Sequence, residues 1–243
     1  MLAPARMPTE SLAAKTARAV SIFEALDRVM PEAHIELDYR TPLELVAAVV
    51  LSAQCTDRRV NMVTPELFKA FPSAGHYARS SPAEVEPYIK SLGLFRNKAR
   101  SLVALGQALL ESHGGEVPTS RAALEKLPGV GKKTAGVVTI HLDGDPAFPV
   151  DTHVQRLAGR MGLAKGKTPD QVEAGLQRVV PQAWWAKGHQ LLVWHGRRVC
   201  HARKPECHRC VVADRCPKLE VRATPKRPTR ASKASRTPRR GRP

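Results

Sequence analysis

The sequence predicts an all-α protein. Alanine, leucine and valine are abundant in the 243 residues, whereas aromatic residues make up only 5% of them, and this composition suits packed helices better than sheets. No segment alternates strictly between apolar and polar residues, as a half-buried strand does. A chain of this length supports one large or two small domains with proper hydrophobic cores.

Helix start and stop signals place the main elements. Thr41-Pro42-Leu43-Glu44 combines a capping box with proline at the first helical position. The apolar run that follows it reaches Leu51. Apolar residues at helical spacing predict further helices over 101–110, 171–180 and 190–199.

A glycine turn between two helices is predicted in the segment Leu127-Pro128-Gly129-Val130-Gly131-Lys132-Lys133. Thr119 or Ser120 caps a short helix through Leu127. Pro128-Gly129 end that helix, because proline cannot donate into it and glycine reaches positive φ freely. A second helix follows over 132–142.

The N–H groups at the start of this second helix have no internal partners and carry the positive end of the helix dipole. Gly129, Val130 and Gly131 are therefore predicted to bind a phosphate, since glycines let it come close. A nucleotide-binding P-loop is excluded, because Lys126 stands where that motif requires glycine. An ordinary helical hairpin without a ligand is the alternative.

Lys133 is the candidate nucleophile of this segment. A lysine at a helix N-terminus beside Lys132 lies in two positive fields that favour its neutral amine, and a neutral amine forms Schiff bases with carbonyl carbons. Asp151 follows shortly after and can cap the next helix, stabilise positive charge or move a proton. An exposed basic surface lysine and a pure helix cap are the alternatives.

Four cysteines near the C-terminus predict a metal or cluster site. They are Cys200, Cys207, Cys210 and Cys216. Disulfides are disfavoured, because no signal peptide is visible and the compartment is expected to be reducing. The spacing favours a [4Fe–4S] cluster over zinc, which prefers two short cysteine pairs. Cys55 stands apart and has no assigned role.

The loop between the first two of these cysteines carries Arg203 and Lys204. If the cluster fixes this loop, it presents both cations to DNA phosphates, and the metal acts as a staple rather than a redox centre. A merely solvated charged loop is the alternative.

Taken together and in this order, these motifs resemble the endonuclease III family of bifunctional DNA glycosylase/AP lyases, in the helix-hairpin-helix superfamily. The likeness covers about 20–220 and includes three further segments. They are Leu51-Ser52-Ala53-Gln54-Cys55-Thr56-Asp57, the stretch Ile89 to Ala99, and His195-Gly196-Arg197.

The resemblance implies roles for the matching positions. Lys133 would be the Schiff-base nucleophile and Asp151 the carboxylate that assists it. Gln54 and Leu94 would enter the DNA stack where the damaged base leaves it. The four cysteines would ligate a [4Fe–4S] cluster. Adenine glycosylases of the same superfamily lack a lysine at the position of Lys133, which favours the bifunctional enzymes.

The resemblance also implies a two-lobed helix-hairpin-helix glycosylase fold. A helical-barrel lobe at 35–145 would carry the glycine turn, and a cluster lobe would combine 11–34 with 146–220. The active site would lie in the cleft between the lobes, where Lys133 and Asp151 face each other.

Residues 221–243 contain nine of the chain's lysines and arginines and no acid, so they predict a disordered basic tail. The chain's net charge is +17, and the excess outside the tail also predicts affinity for phosphates. No apolar stretch is long enough to span a membrane. We expect a monomer in the bacterial cytoplasm, associated with the nucleoid.

The expected activity is removal of oxidised pyrimidines from duplex DNA in base excision repair, followed by β-elimination through a lysine Schiff base, which nicks 3′ of the abasic site. Duplex DNA with damaged bases or abasic sites is the expected partner. Two alternatives stay open. One is a monofunctional glycosylase of another base specificity, and the other is a non-catalytic DNA-binding module.

Overall fold

The computed structural model describes residues 10–221, which are helical without a strand in that range. This confirms the predicted all-α class. The predicted basic tail lies outside the described residues from 222 onwards. The helices of the described range are α1 (Leu12–Val29), α2 (Pro42–Leu51), α3 (Asp57–Ala70), α4 (Ala74–Arg79), α5 (Pro82–Ile89), α6 (Phe95–His113), α7 (Arg121–Leu124), α8 (Lys132–Thr139), α9 (Thr152–Arg160), α10 (Pro169–Val179) and α11 (Trp185–Arg198).

The start of α2 confirms the predicted cap. Thr41 is the N-cap residue and its hydroxyl oxygen accepts the Glu44 N–H at 3.2 Å, with Pro42 at the first helical position. The Glu44 carboxylate accepts the N–H of Arg40 at 2.6 Å. The reciprocal bond of the capping box therefore reaches one residue further back than the motif predicts.

Several helix boundaries differ from the sequence-based expectation. The helix predicted from 101 begins at Phe95, where Lys98 and Ala99 already contribute to its buried face. The helix predicted from 190 begins at Trp185, and its Gly188 lets the backbone lie against the ring of Phe23. The helix before the glycine turn is a single turn, α7. It ends at Leu124 and does not extend through Leu127 as predicted.

The buried side chains form two hydrophobic clusters. One draws on the chain between 37 and 138. The other joins 19–33 of the N-terminal segment to 148–212. Within the second cluster, the ring of Phe23 on α1 stacks on Trp184, with centroids 5.9 Å apart. Because the buried side chains divide into these two clusters, we propose that the boundaries between the lobes lie near residues 34 and 145.

Ion pairs connect the two clusters along one side of the cleft. Arg121 on α7 donates two hydrogen bonds to the Glu173 carboxylate on α10, at 2.6 and 3.0 Å. Glu173 also accepts the N–H of Phe148 at 3.3 Å. Such a bidentate pair fixes the relative position of two elements more firmly than a single contact. No helix of residues 10–221 is long and apolar enough to cross a membrane.

Candidate active site

The glycine turn between α7 and α8 has the predicted backbone. Gly129 adopts φ +80°, and a Cβ there would lie 2.9 Å from Cβ of Ser101, so only glycine fits. Gly131 is the N-cap of α8, and no atom lies within 4 Å of the place its Cβ would occupy. The face of the turn at Gly131 is therefore open to a ligand.

Among the described residues, some N–H groups of this turn have a hydrogen-bond acceptor and others do not. Val130 is buried, and its N–H donates to the carbonyl of Leu127 at 3.0 Å. Val130 therefore shapes the turn, and its own N–H is occupied. Within the described residues no acceptor reaches the N–H groups of Gly131, Lys132 and Lys133. These three N–H groups are available to an anion, as at other helix N-termini.

Lys133 is exposed at the second position of α8 and lies between two pockets. We call them the inner and the outer pocket. The inner pocket has a volume of about 240 Å³, which leaves room for a single base, and Gln54, Val137, His189 and Gln190 contribute to its wall. The outer pocket is lined by charged groups that include Arg121, Lys132, Asp170 and Glu173. Lys133, Asp151 and Arg197 line both pockets.

Asp151 is the N-cap residue of α9, which confirms the predicted cap. Its Oδ1 accepts the N–H of Val154 at 2.8 Å. No donor among residues 10–221 reaches its Oδ2. One carboxylate oxygen therefore holds the helix, while the other is available to a group in the pockets that Asp151 lines.

The surroundings of Lys132 differ from the expectation that this residue supplies a positive field to Lys133. Its Nζ lies 2.5 Å from Oδ2 of Asp170 on α10. This hydrogen bond raises the pKa of Lys132 and lowers the pKa of Asp170. The carboxylate compensates the charge of Lys132, and no local pattern around Lys132 indicates this distant partner.

Gln54 and Leu94 share an unusual backbone conformation. Both are exposed and both lie in the left-handed region, at φ +56° and φ +59°. A side chain other than glycine is strained there by about 1–3 kcal/mol. Gln54 follows α2 and Leu94 is the N-cap of α6. Arg59, in the first turn of α3, donates to the carbonyl of Ser91 at 3.2 Å and so connects α3 to the loop before Leu94.

Arg197 and Asp57 form a contact that sequence reasoning did not identify. Arg197 Nη1 lies 2.7 Å from Oδ2 of Asp57, and Arg197 also pairs with Glu36. Asp57 ends the Leu51–Asp57 segment and Arg197 ends His195-Gly196-Arg197. These two segments, which are among those that carry the resemblance, thus meet beside Lys133 and Asp151. Their joint presence in one chain is the sequence feature that could have indicated this contact.

The four cysteines near the C-terminus line one pocket, with Val199, Val212 and Met161 among the apolar residues around them. They form no disulfide. Among the described residues, no three His, Cys, Asp or Glu side chains converge closely enough to hold a single metal ion. Four thiols set apart around one pocket fit a cluster that takes one cysteine on each iron. Burial raises the pKa of Cys210 and Cys216, so bound iron would be needed to keep them as thiolates.

Buried Arg160, the last residue of α9, holds the cluster loop. Its guanidinium donates to the carbonyls of His201 and Ala202, both at 2.7 Å, and lies 3.3 Å from Sγ of Cys200. Arg160 was missed in the sequence, because an arginine at the end of a helix gives no sign of its partners. Since Asp151 caps the other end of the same helix, α9 connects the cluster loop to the cleft.

The loop that Arg160 holds exposes Arg203 and Lys204 to solvent. The N–H of Glu206 donates to the carbonyl of Val199 at 3.0 Å and closes the loop at its base. Next to it, Nε2 of His195 lies 3.4 Å from Sγ of Cys210. Burial lowers the pKa of His195 to about 4, so its imidazole is neutral at pH 7.

Comparison with known proteins identifies the family. Residues 47–182 match the HhH-GPD superfamily of base excision DNA repair proteins, and residues 200–216 match the iron–sulfur binding domain of endonuclease III. The endonuclease III of Synechocystis is 44% identical over 211 residues, which are 86% of this chain and 96% of the relative. The chain belongs to the endonuclease III family. Endonuclease III of Escherichia coli K12 is 42% identical over 200 residues, 82% of this chain and 95% of that relative.

Solved structures agree with membership of the endonuclease III family. A trapped endonuclease III–DNA covalent intermediate superposes with a TM-score of 0.79 at 40% identity, over 84% of this chain and 96% of the other. A thermostable thymine-DNA glycosylase superposes with a TM-score of 0.75 at 22% identity and shares the fold. The predicted two-lobed helix-hairpin-helix glycosylase fold is confirmed, and so is the predicted [4Fe–4S] cluster, by the iron–sulfur match within this family.

Proposed function

We propose that this member of the endonuclease III family removes oxidised pyrimidines from duplex DNA and then nicks the strand 3′ of the abasic site, with Lys133 as the nucleophile. The observation that carries the proposal is the position of Lys133. It lies at the open N-terminus of a helix and lines two pockets together with Asp151. The proposal places the enzyme in the bacterial cytoplasm, where its DNA is.

DNA binding would begin at the glycine turn. The free N–H groups at Gly131 and the start of α8 receive a backbone phosphate, Gly129 allows the tight turn, and Val130 anchors it in the core. Arg203 and Lys204 contact a second stretch of backbone from the cluster loop. Phosphate contacts of this kind position the protein on the duplex without selecting a sequence.

Extrusion of the damaged base would use the two strained residues. Gln54, which contributes to the wall of the inner pocket, fills the gap in the stack, while Leu94 wedges the opposite strand. Chemistry on a base of a duplex requires that the base leave the stack. The extruded base enters the inner pocket, and its sugar stays at the wall that Lys133 and Asp151 share.

The reaction then proceeds on the sugar. The neutral amine of Lys133 attacks C1′, the bond from C1′ to the base breaks, and the base leaves with the electron pair. Oδ2 of Asp151 stabilises the positive charge that develops on the sugar and accepts a proton from the amine. Ring opening yields a Schiff base between Nζ and C1′, which acidifies the C2′ proton. Loss of this proton expels the 3′ phosphate by β-elimination.

The four cysteines would hold the [4Fe–4S] cluster, which supplies structural cross-linking of the last part of the chain when bound. Arg160 adds hydrogen bonds to two carbonyls of the same loop. The sequence from Cys200 to Cys207 is thereby held with Arg203 and Lys204 exposed. The catalytic steps themselves are assigned to Lys133 and Asp151.

The test compares one protein on two duplexes, one with thymine glycol and one with a preformed abasic site. The proposal predicts base release from the first and strand cleavage 3′ of the site in both. Base release without cleavage of the abasic duplex would favour a monofunctional glycosylase. Binding of both duplexes without any turnover would favour a non-catalytic DNA-binding module.

A further inference from the structure

Cys55 is the one cysteine of this chain that lies outside the cluster pocket. The chain has five cysteines, and the other four line that pocket. Cys55 carries a free thiol and is half-buried, so it keeps some contact with solvent. Its Sγ lies 3.2 Å from Nζ of Lys98 on α6. The thiol is thus paired with an amine at a place that the mechanism above does not use.

Lys98 is a buried cation that lacks an anionic partner. It is only 5% exposed, although lysine is almost never buried to this extent unless it is paired. Within the part of the chain that the structure describes, no carboxylate forms an ion pair with Lys98, and the Cys55 sulfur is the one hydrogen-bond partner of its Nζ. An ammonium group removed from water requires a compensating charge nearby. A thiolate or a sulfenate at Cys55 would provide it.

The contact between Cys55 and Lys98 also joins the two loops that are proposed to enter DNA. Cys55 directly follows Gln54, and its N–H donates to the carbonyl of Ser52 at 3.0 Å in the turn after α2. Lys98 lies one turn after Leu94, and its N–H donates to the Leu94 carbonyl at 3.1 Å. A chemical change at the sulfur is therefore adjacent to the backbone that carries both Gln54 and Leu94.

The sulfur lies at the edge of a hydrophobic cluster rather than in the cleft. Cys55 packs against the buried residues between 37 and 138, and it is not among the residues that line the inner or the outer pocket. A group added to Sγ would therefore displace its neighbours and would not occupy the place of the base. The adjoining residue, Gln54, is already strained at φ +56°, so its position is sensitive to such a displacement.

We propose that Cys55 and Lys98 form a modification site at which hydrogen peroxide oxidises the thiolate to a sulfenic acid, and that this oxidation reversibly slows extrusion of the base. The thiolate sulfur attacks one peroxide oxygen, the O–O bond breaks, and hydroxide leaves with the electron pair. The sulfur is oxidised and the peroxide is reduced. Nζ of Lys98 donates to the thiolate before this step and to the new oxygen after it.

A small thiol reverses the modification of Cys55. The first thiol molecule attacks the sulfenic sulfur and expels water, which leaves a mixed disulfide. A second molecule attacks this disulfide and releases the Cys55 thiol together with the disulfide of the small thiol. The oxidation itself is independent of the proposed function, whereas its effect on base release rests on that function.

The chemical step is tested with dimedone, which labels sulfenic acids. The full-length protein with its cluster is treated with hydrogen peroxide and dimedone, and the label is located by mass spectrometry. Cys55 should be labelled in the wild type. The rate should fall roughly tenfold in Lys98→Met, which keeps an unbranched side chain but removes the charge that stabilises the thiolate. The exposed Lys90→Met is the control and should be labelled like the wild type.

Two results of the labelling would overturn the proposal. One is the absence of label on Cys55 in the wild type. The other is an equal labelling rate in wild type and Lys98→Met, which would show that Lys98 does not belong to the site.

The effect on repair is measured as single-turnover release of thymine glycol from a duplex, before and after peroxide, by wild type and Cys55→Ala. Treated wild type should lose about 10- to 100-fold of its rate, as a displacement of about 1 Å can cost an enzyme, and dithiothreitol should restore it. Cys55→Ala should keep its rate. Samples are compared at equal visible absorption of the cluster, so that loss of iron does not contribute.

Equal losses in wild type and Cys55→Ala would overturn the proposed effect, and so would an unchanged rate of the labelled wild type. If untreated wild type releases no base, the proposed function itself fails. The labelling of Cys55 distinguishes the two cases, because it requires no turnover of DNA.

Discussion

Lys133 and Asp151 line the same two pockets, although one lies in the first turn of α8 and the other caps α9. The inner pocket suits a base, and the outer pocket lies beside the N–H groups at the start of α8 that have no acceptor among the described residues. A nucleotide with its base in the first and its phosphate near the second places its sugar against both side chains. This arrangement is the reason for our proposal that Lys133 attacks C1′ and that Asp151 assists it.

The substitution Asp151→Asn distinguishes the helix-capping role of Asp151 from its proposed catalytic role. Asparagine caps helices as well as aspartate does, so the free energy of unfolding should stay within about 0.5 kcal/mol of the wild-type value. Without the charge, single-turnover base release should fall by roughly 10²- to 10⁴-fold. Quench-flow kinetics on a lesion duplex measure it. Rates equal to the wild type would reduce Asp151 to a helix cap.

Leu94→Gly should stabilise the protein while it impairs repair. Leu94 is 55% exposed at φ +59°, so glycine relieves backbone strain at little cost in burial. The free energy of unfolding should rise by about 1 kcal/mol, measured by urea denaturation, while base release slows for lack of a wedge. Leu94→Ala is the matched control, because it removes the wedge and keeps the strain. A stability gain in Leu94→Ala as large as that in Leu94→Gly would disprove the strain.

Because His189 is buried, we expect the free energy of unfolding to depend on pH. Burial lowers its pKa to about 4, below the ordinary value of 6.5. The unfolded chain therefore binds the proton first, and the stability contributed by neutral His189 is complete above about pH 6.5 and decreases towards pH 4. Between pH 5 and 6.5, His189→Gln should flatten the dependence of the unfolding free energy by up to about 1.4 kcal/mol per pH unit, the slope that corresponds to one proton. The exposed His76→Gln is the control, and an equal flattening there would contradict the assignment.

Arg160→Lys should loosen the cluster loop. Lysine cannot reach the carbonyls of His201 and Ala202 with the same fork, and each lost hydrogen bond from the charged guanidinium costs about 1.5–3 kcal/mol. The visible absorption of the cluster should therefore decay faster in the presence of an iron chelator. Arg203→Lys, in the same loop but exposed, should decay like the wild type. Equal decay in both variants would show that Arg160 does not hold the loop.

Local signals made much of this protein predictable. The cap at Thr41, the glycine turn at Gly129 and the cap at Asp151 each depend on a few neighbouring residues, and the structure has them as predicted. Contacts between segments that are far apart in the sequence have no comparable local signal. The pairs Arg160–His201, Arg197–Asp57 and Gln190–His141 form only when the lobes fold, so the sequence did not predict them.

The identity of the nucleophile is tested most directly by two adjacent lysines. Lys132 and Lys133 share the first turn of α8, but Lys132 pairs with Asp170 while Lys133 lines the inner pocket. Borohydride reduction on an abasic duplex should trap a covalent protein–DNA adduct with wild type and Lys132→Ala, and none with Lys133→Ala. An adduct of wild-type yield from Lys133→Ala would contradict the account.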